Sequence, residues 1–482
     1  MESLLLTLIG TAFGALLAQF LSRYLVAFLT TSDTPLFIQL GIDWRIFAFT
    51  AFVAVLTCIL FGLAPAVRAT RTAPAAAMKA SGRGLTGDRE RFGVRRALVI
   101  SQVALSLVLL VGALLFVRSL QNLLTIDAGL REEGLLIAGI DISRLNFVPA
   151  RRLAFYRELL AKVQTTTGVE QAATAGIVQI SGSGWNDAIE FLENKKQDRM
   201  VPWFDRVSAG YFRTMGTPML AGRDFDDRDS SSSPEVAIVN QEFSKKYLGG
   251  ANPLGKTFRI LSGPGERQHV YQIVGLVKNS KYQNLRDDFV PIVFVAAAQD
   301  DKPGLGTNLM VRSALPAGAV MAAVKKTVLE QNAGVSLQFQ VFKTQVRDSL
   351  LRERLMATLS GFFGFLAAAL ATVGLYGVIS YMVARRRNEI GIRIALGANR
   401  NNVVNLVLRE AGLLLLTGLV VGTAVAIAAT RTASSLLFGR KATDPLTIGL
   451  AIVLLGAVAT AASFIPALRA ARLEPMAALR EE

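Results

Sequence analysis

The segment Gly250–Thr257 reads GANPLGKT and fits the G-x-x-x-x-G-K-[ST] spacing of a phosphate-binding loop. Such a loop works because backbone N–H groups and the N-terminus of a following helix cradle phosphate, so it needs a strand before it and a helix after it. Here the helix-like QEFSKKYL comes first and the strand-like TFRIL follows, and no Walker B aspartate after an apolar strand accompanies them. Asp224, Asp226, Asp227 and Asp229, with Glu235 at the twelfth position counted from Asp224, resemble a calcium-loop ligand spacing. Arg228 at the fifth position and Asp229 in place of the sharp-turn glycine argue instead for a solvated loop, and no metal site is expected. His269 lacks a Ser or Cys partner at a recognisable spacing, and Cys58 lies inside an apolar run, where a thiol is a small hydrophobe. With one Cys and one His, disulfide frameworks and multi-His sites are excluded. No catalytic residue is expected.

The most informative stretch is Arg385–Ala398, RRRNEIGIRIALGA. It is basic, follows an apolar run, and places Ile390, Ile394 and the Glu389/Arg393 pair at helical spacing. A segment of this kind can lie along a membrane surface and present one face to a partner. A simple positive anchor would need only Arg385, Arg386 and Arg387, whereas the ALGA that follows points to a docking shape. Two glycine pairs, Gly10/Gly14 and Gly418/Gly422, have the four-residue spacing that lets membrane helices approach closely.

The elements that must position these residues divide into two kinds. The chain of 482 residues has 52% hydrophobic and 18% charged residues, a formal charge of +16 and a mean hydropathy of +0.41. Six uncharged runs are long enough to cross a hydrocarbon core of about 30 Å as helix: Ser3–Ser22, Ile46–Val67, Ala97–Val117, Leu355–Ala384, Ala411–Thr430 and Pro445–Leu468. Basic residues concentrate between Arg68 and Arg96 and between Arg385 and Glu410, which sets both segments and both termini on the cytoplasmic side. That placement accounts for most of the charge and removes nucleic acid as an expected partner. Between the third and fourth runs, Ser119–Leu350 carries 27 basic and 24 acidic residues and reads as a near-neutral α+β domain outside the cytoplasm. Strands are expected at Leu135–Ser143, Val236–Asn240, Val270–Val277, Val290–Ala296 and around Met310–Arg312, and helices at Arg151–Val163, Gln241–Tyr247 and Ala317–Gln331.

The chain also repeats itself. Asp43–Lys79 aligns without a gap on Asp444–Arg480, so that Pro65, Arg68, Arg71 and Pro74 fall on Pro466, Arg469, Arg472 and Pro475. Upstream, Glu2, Gly10 and Gly14 fall on Glu410, Gly418 and Gly422. The first two runs thus repeat the last two, while the portion upstream of them has no counterpart in the first copy. Because that copy begins abruptly at Glu2, the expectation is the C-terminal portion of a longer duplicated chain rather than a duplication that lost its front.

RRRNEIGIRIALGA, preceded by GLYGVISYMVA and followed by a span bearing Gly418 and Gly422, resembles the permeases of MacB/FtsX-type ABC transporters. SAGYFRTMGTPMLAGRDF, AIVNQEFSKKYLGGANPLGK and YQIVGLVKNSKY resemble the MacB-type extracytoplasmic domain. The resemblance implies an α-helical membrane protein with six transmembrane helices plus an α+β extracytoplasmic domain. It implies a partial first FtsX-like repeat at 1–96, a third membrane helix at 97–118, the MacB-like domain at 119–350 and a second FtsX-like domain at 351–482, with a coupling helix near 386–400. It further implies that Arg385, Arg386, Arg387, Glu389, Ile390, Gly391, Arg393, Ala395, Leu396, Gly397 and Ala398 sit on a separate cytoplasmic ABC ATPase. ATP and Mg would be bound there and no cofactor by this chain. Tyr211, Phe212, Gly216, Gly222 and Arg223 would belong to the family motif of the periplasmic domain. Membrane lipid, a second permease half or second copy, and a periplasmic adaptor are the other expected partners, at the bacterial inner membrane. The expected function is coupling of ATP hydrolysis to motion of the outer domain for efflux or extraction. The alternatives are mechanical regulation of an envelope protein, or a membrane-anchored sensor.

Overall fold

The computed structural model of the chain describes residues 2–29, 44–59, 86–192, 200–261, 267–396, 399–432, 438 and 444–471. It divides into a helical unit, Met1–Leu120 with Glu353–Glu482, and a sheet unit, Gln121–Arg352.

In the helical unit the uncharged runs become long helices. Among the described residues four helices are long and apolar enough to cross a membrane: Arg96–Leu124, Leu351–Arg385, Arg400–Thr432 and Pro445–Ala471. The first expected span lies within the Glu2–Leu29 helix, and only the start of the second, Ile46–Val67, falls in the Trp44–Cys58 helix, whose 15 residues are short of a crossing. Four of the six expected spans are thus membrane-length helices among the described residues. The rest of that second run, 60–67, lies outside the described residues, as do Arg68, Arg71 and Pro74 of the repeat. The core of the unit is built from rows spaced by four. Val99, Val103, Leu107 and Val111 of the Thr86–Leu124 helix pack with Ala371, Leu375 and Ile379, with Val403, Val407 and Ala411, and with Ala451, Leu455 and Ala459. Residues four apart lie above one another on a helix, so such rows interlock as ridges and grooves. Ser106, buried in this packing, is answered by backbone, its Oγ donating to Ala367 O (2.8 Å), and at the more exposed edge Gln102 Nε2 donates to Leu370 O (2.6 Å).

The sheet unit holds β1 (Leu135–Asp141), β2 (Gln171–Ala175), β3 (Trp185–Asn186), β4 (Ile189–Phe191), β5 (Trp203–Val207), β6 (Met219–Gly222), β7 (Val236–Asn240), β8 (Thr257–Ile260), β9 (Val270–Val277), β10 (Ile292–Ala296), β11 (Gly306–Arg312) and β12 (Ser336–Val341). They pair in the order β12-β1-β11-β2-β5-β10-β7-β9-β8-β4, with β3 against β5 and β6 against β9. One continuous stretch, 176–305, supplies everything from β3 to β10 and is inserted between β2 and β11. Each side of the junction has its own core. One gathers Ala138, Ile140, Leu309 and Val311 under the Pro149–Gln164 and Ala317–Gln331 helices; the other gathers Phe204, Val239, Phe243 and Phe258 around the Gln241–Leu248 helix. Where they meet, β2 and β5 share a single registered pair, Ala175 with Val207. Side chains complete the seam: Asp205 Oδ1 accepts from Ile177 N–H (2.9 Å) and Ser208 Oγ from Thr174 N–H (2.8 Å).

Candidate functional site

The basic stretch that ends the long Leu351–Arg385 helix turns at Arg386 and continues as the short Arg387–Ala395 helix. Its inner side carries Ile390, 2% exposed, with Ile394 packed against the same helical core. Its outer side carries Ile392 and Leu396, 48% and 82% exposed, and beside them Glu389 and Arg393 joined at 2.8 Å. These are two i,i+4 faces of one helix: an apolar face buried in the unit, and a face of two aliphatic groups and one ion pair left open. Gly391 is buried and Ala395 exposed, while Gly397 and Ala398 lie outside the described residues.

Glu410 ties the turn before this short helix to the bundle. Its carboxylate accepts from Arg386 Nη1 at 2.8 Å through one oxygen and from Arg96 Nη2 through the other. Arg386 also faces Glu389 at 3.9 Å. The side chain of Glu410 is 20% exposed, so these pairs are screened less than surface ones. At the far end of the same Thr86–Leu124 helix, Arg118 Nη1 donates to Asp444 Oδ2 (2.8 Å) and to Thr447 Oγ1 (2.7 Å). Neither carboxylate was singled out by motif reading. The signal for Glu410 was its register with Glu2 across the repeat, an acid standing among arginines.

The glycine pairs part company. A Cβ on Gly418 would lie 2.8 Å from Val103 Cβ, and one on Gly422 would lie 2.9 Å from Ala104 Cα. Both glycines therefore seat the Arg400–Thr432 helix directly on the Thr86–Leu124 helix. At Gly10 and Gly14 no described residue comes within 4 Å of an added Cβ.

In the sheet unit the segment Tyr211–Gly216 forms a one-turn helix with Tyr211 and Phe212 buried, closed by Gly216 at φ 75°. It grips the chain that enters β1. Arg131 N–H donates to Met215 O (2.9 Å), and Thr217 Oγ1 to Gly129 O (3.1 Å). A Cβ on Gly216 would lie 2.7 Å from Arg131 Cβ. Arg312, at the end of β11, completes the grip by donating from Nε to Thr214 O (2.7 Å) and from Nη2 to Arg131 O (2.8 Å). Burial pushes its guanidinium below the usual arginine range. Sequence reasoning missed Arg312; a charge closing the apolar strand end LMVR was the available sign. Gly222 has φ 77°, and a Cβ there would also lie 2.1 Å from Val274 O, so both the backbone and the space require glycine.

The chemistry-like segments resolve into structure. Arg223 pairs bidentately with Asp229 (2.7 Å from each Nη), which is buried, so the acidic stretch is cross-linked rather than simply solvated. Asp226 is held well below the usual carboxylate range by its hydrogen bonds from Arg228. Glu235 is taken by His269 Nδ1 (2.8 Å) and by Val270 N–H (3.1 Å). Among the described residues no group of three or more metal-ligating side chains converges. The GANPLGKT turn links the Gln241–Leu248 helix to β8, so no helix N-terminus follows it to meet a phosphate.

A model of the MacB-like periplasmic core domain matches residues 96–331, and a model of the FtsX-like permease C-terminal region matches 361–475. The macrolide export ATP-binding/permease protein MacB of Neisseria meningitidis is 25% identical over 416 residues, 82% of this chain and 61% of that protein. The chain belongs to the MacB/FtsX-type ABC transporter permeases. It spans about three fifths of the length of the MacB relatives it matches. Among other permeases, the pyoverdine export protein PvdT of Pseudomonas putida is 29% identical over 286 residues, covering 55% of this chain and 41% of that one. The periplasmic region of MacB from Actinobacillus actinomycetemcomitans is similar to 46% of this chain and 95% of that chain, with 12% identity and a TM-score of 0.32. In this permease, the FtsX-like match contains the short Arg387–Ala395 helix and the Gly418/Gly422 seat, and the MacB-like match contains the Tyr211–Arg223 motif.

Proposed function

We propose that the chain is the membrane permease of an ABC export system, with a separate cytoplasmic ATPase docked on Arg385–Ala398. The open face of Glu389, Ile392, Arg393 and Leu396 carries this reading: two exposed aliphatic groups beside an ordered ion pair are costly to leave in water and suited to a protein groove. ATP and Mg belong to the partner. The apolar runs Ser3–Ser22 and Ile46–Val67 complete six crossings of the bacterial inner membrane, and the sheet unit lies in the periplasm. The Thr86–Leu124 and Leu351–Arg385 helices carry motion outward, and export or extraction of substrate follows, with a second permease half or copy and a periplasmic adaptor as further partners. Names such as macrolide export and pyoverdine export among the relatives support an export role.

The test is affinity purification of the full chain from its native membranes. An ABC ATPase is expected to accompany it, and the double variant Ile392→Asp/Leu396→Asp to lose it with the chain still folded. Recovery of the chain with no ATPase at all would overturn the proposal.

A further inference from the structure

The inserted stretch 176–305 does more than extend the sheet. Against the Pro149–Gln164 helix it closes a cleft of about 600 Å³, within the span of roughly 300–1,000 Å³ typical of small-molecule sites, which favour boundaries between lobes. One wall is Leu153, Tyr156, Arg157 and Leu160; the other includes Trp185, Arg206 and Phe225. The seam of β2 and β5 runs along its floor, so a molecule bound there touches both lobes.

Charge decides what kind of molecule. Arg206 lies over the Trp185 ring with its Cζ 4.3 Å from the centroid, and its Nε faces Asp300 at 3.3 Å. Its side chain is still 41% exposed. The ring below and the carboxylate beside it fix the plane of the guanidinium, a fork whose geometry matches a carboxylate. Arg157 and Lys302 add two exposed cations to the lining. Of the lining acids, Asp229 pairs with Arg223, Asp226 with Arg223 and Arg228, and Asp300 with the Nε edge of Arg206, while Asp205 is buried at the seam with one oxygen on Ile177 N–H. Asp227 makes no ion pair among the described residues. We propose that this cleft binds a small amphipathic organic carboxylate, with its anionic group on the Arg206 fork and its apolar body between Leu153, Leu160 and Phe225. The assignment is independent of the ATPase-docking proposal.

The sequence supplies its own reporters, since its three tryptophans are Trp44, Trp185 and Trp203. Trp185 lines the cleft. Trp203 stands on the other face of β5 from Arg206, its ring 5.3 Å from Tyr282, and reports the fold. Trp44 starts an apolar helix, 73% exposed, and reports probe dissolved in detergent. The full chain labelled with 5-fluorotryptophan is titrated with 1-naphthylacetate, and with 1-naphthaleneethanol as the uncharged counterpart, and followed by 19F NMR. The Trp185 resonance is expected to move and saturate with the carboxylate and not with the alcohol, while Trp203 holds still. Arg206→Gln should weaken binding on the order of tenfold, and Arg157→Glu, a rim change that leaves Arg206 and Trp185 in place, by a smaller factor. A Trp185 response that never saturates, that is equal for the alcohol, or that is unchanged in both variants overturns the proposal.

Discussion

Gly418/Gly422 and Gly10/Gly14 have the same spacing and equivalent places in the repeat, yet one pair is seated and the other open. The seated pair meets Val103 and Ala104 on the Thr86–Leu124 helix; the open pair meets nothing within 4 Å among the described residues. The acid that precedes each pair by eight residues belongs to the same comparison. In the second copy it is Glu410, which holds Arg96 and Arg386 together. A glycine pair is thus a permission for close approach, and its energetic weight depends on a neighbour supplied from elsewhere in the chain. The neighbour here is the Thr86–Leu124 helix, which comes from a part of the chain outside the second copy of the repeat.

The comparison is broken most directly by filling the glycines. Gly418→Leu and Gly422→Leu should each cost about 3 kcal/mol, since an inserted side chain must displace packed atoms and, at Gly422, backbone. Gly10→Leu and Gly14→Leu should stay within about 0.5 kcal/mol, as surface changes without a packing consequence do. Thermal unfolding of the purified full chain separates the outcomes, and equal losses at both pairs would show that the first pair is seated as well.

A smaller effect is expected from the carboxylate. Glu410→Gln keeps the size of the side chain and removes its charge, leaving Arg96 and Arg386 without their common anion. With all three side chains partly exposed, a loss of about 1–2 kcal/mol is expected, between surface and buried pairs. Hydrogen exchange should rise in the Arg387–Ala395 helix, because its first turn is anchored through Arg386. Exchange unchanged there would mean that Ile390 and Ile394 alone position the helix.

Legibility followed the range of the interactions. Val236–Asn240 and Val270–Val277 were readable with their observed bounds because β-branched alternation and flanking turns are local properties. The apolar runs were readable for the same reason, and four of the six are membrane-length helices among the described residues. The two faces of the short Arg387–Ala395 helix follow from its 3.6-residue period. What stayed hidden depends on pairing across distance: Arg96 reaches a residue 314 positions away, and Arg312 closes on Thr214 and Arg131. The seam was hidden as well, because β2 and β5 each look like an ordinary strand and nothing in either shows that they share one pair. The acidic loop looks merely solvated in sequence because nothing local marks Arg223 as the partner of Asp229.

Asp205 carries the contrast between an answered and an unanswered carboxylate into the sheet unit. Where Glu410 has two arginines, Asp205 is fully buried, with one oxygen on Ile177 N–H and the other without a hydrogen-bond partner. Burial in a medium that penalises charge pushes its carboxyl well above the usual 3.8. A carboxyl whose folded value exceeds its unfolded value contributes its full stability below the unfolded value and loses it as pH rises towards the folded one. Wild-type chain should therefore lose stability relative to Asp205→Asn as pH climbs above 3.8. The amide retains an acceptor for Ile177 N–H and has no charge to form. The gap should be small at pH 4 and reach about 1 kcal/mol towards neutral pH, the size of a buried polar group left unpaired. A pH series of unfolding curves for the two proteins measures it. A gap that stays constant across the series would mean that the free oxygen of Asp205 is answered in solution, and that Asp205 and Glu410 are electrostatically alike.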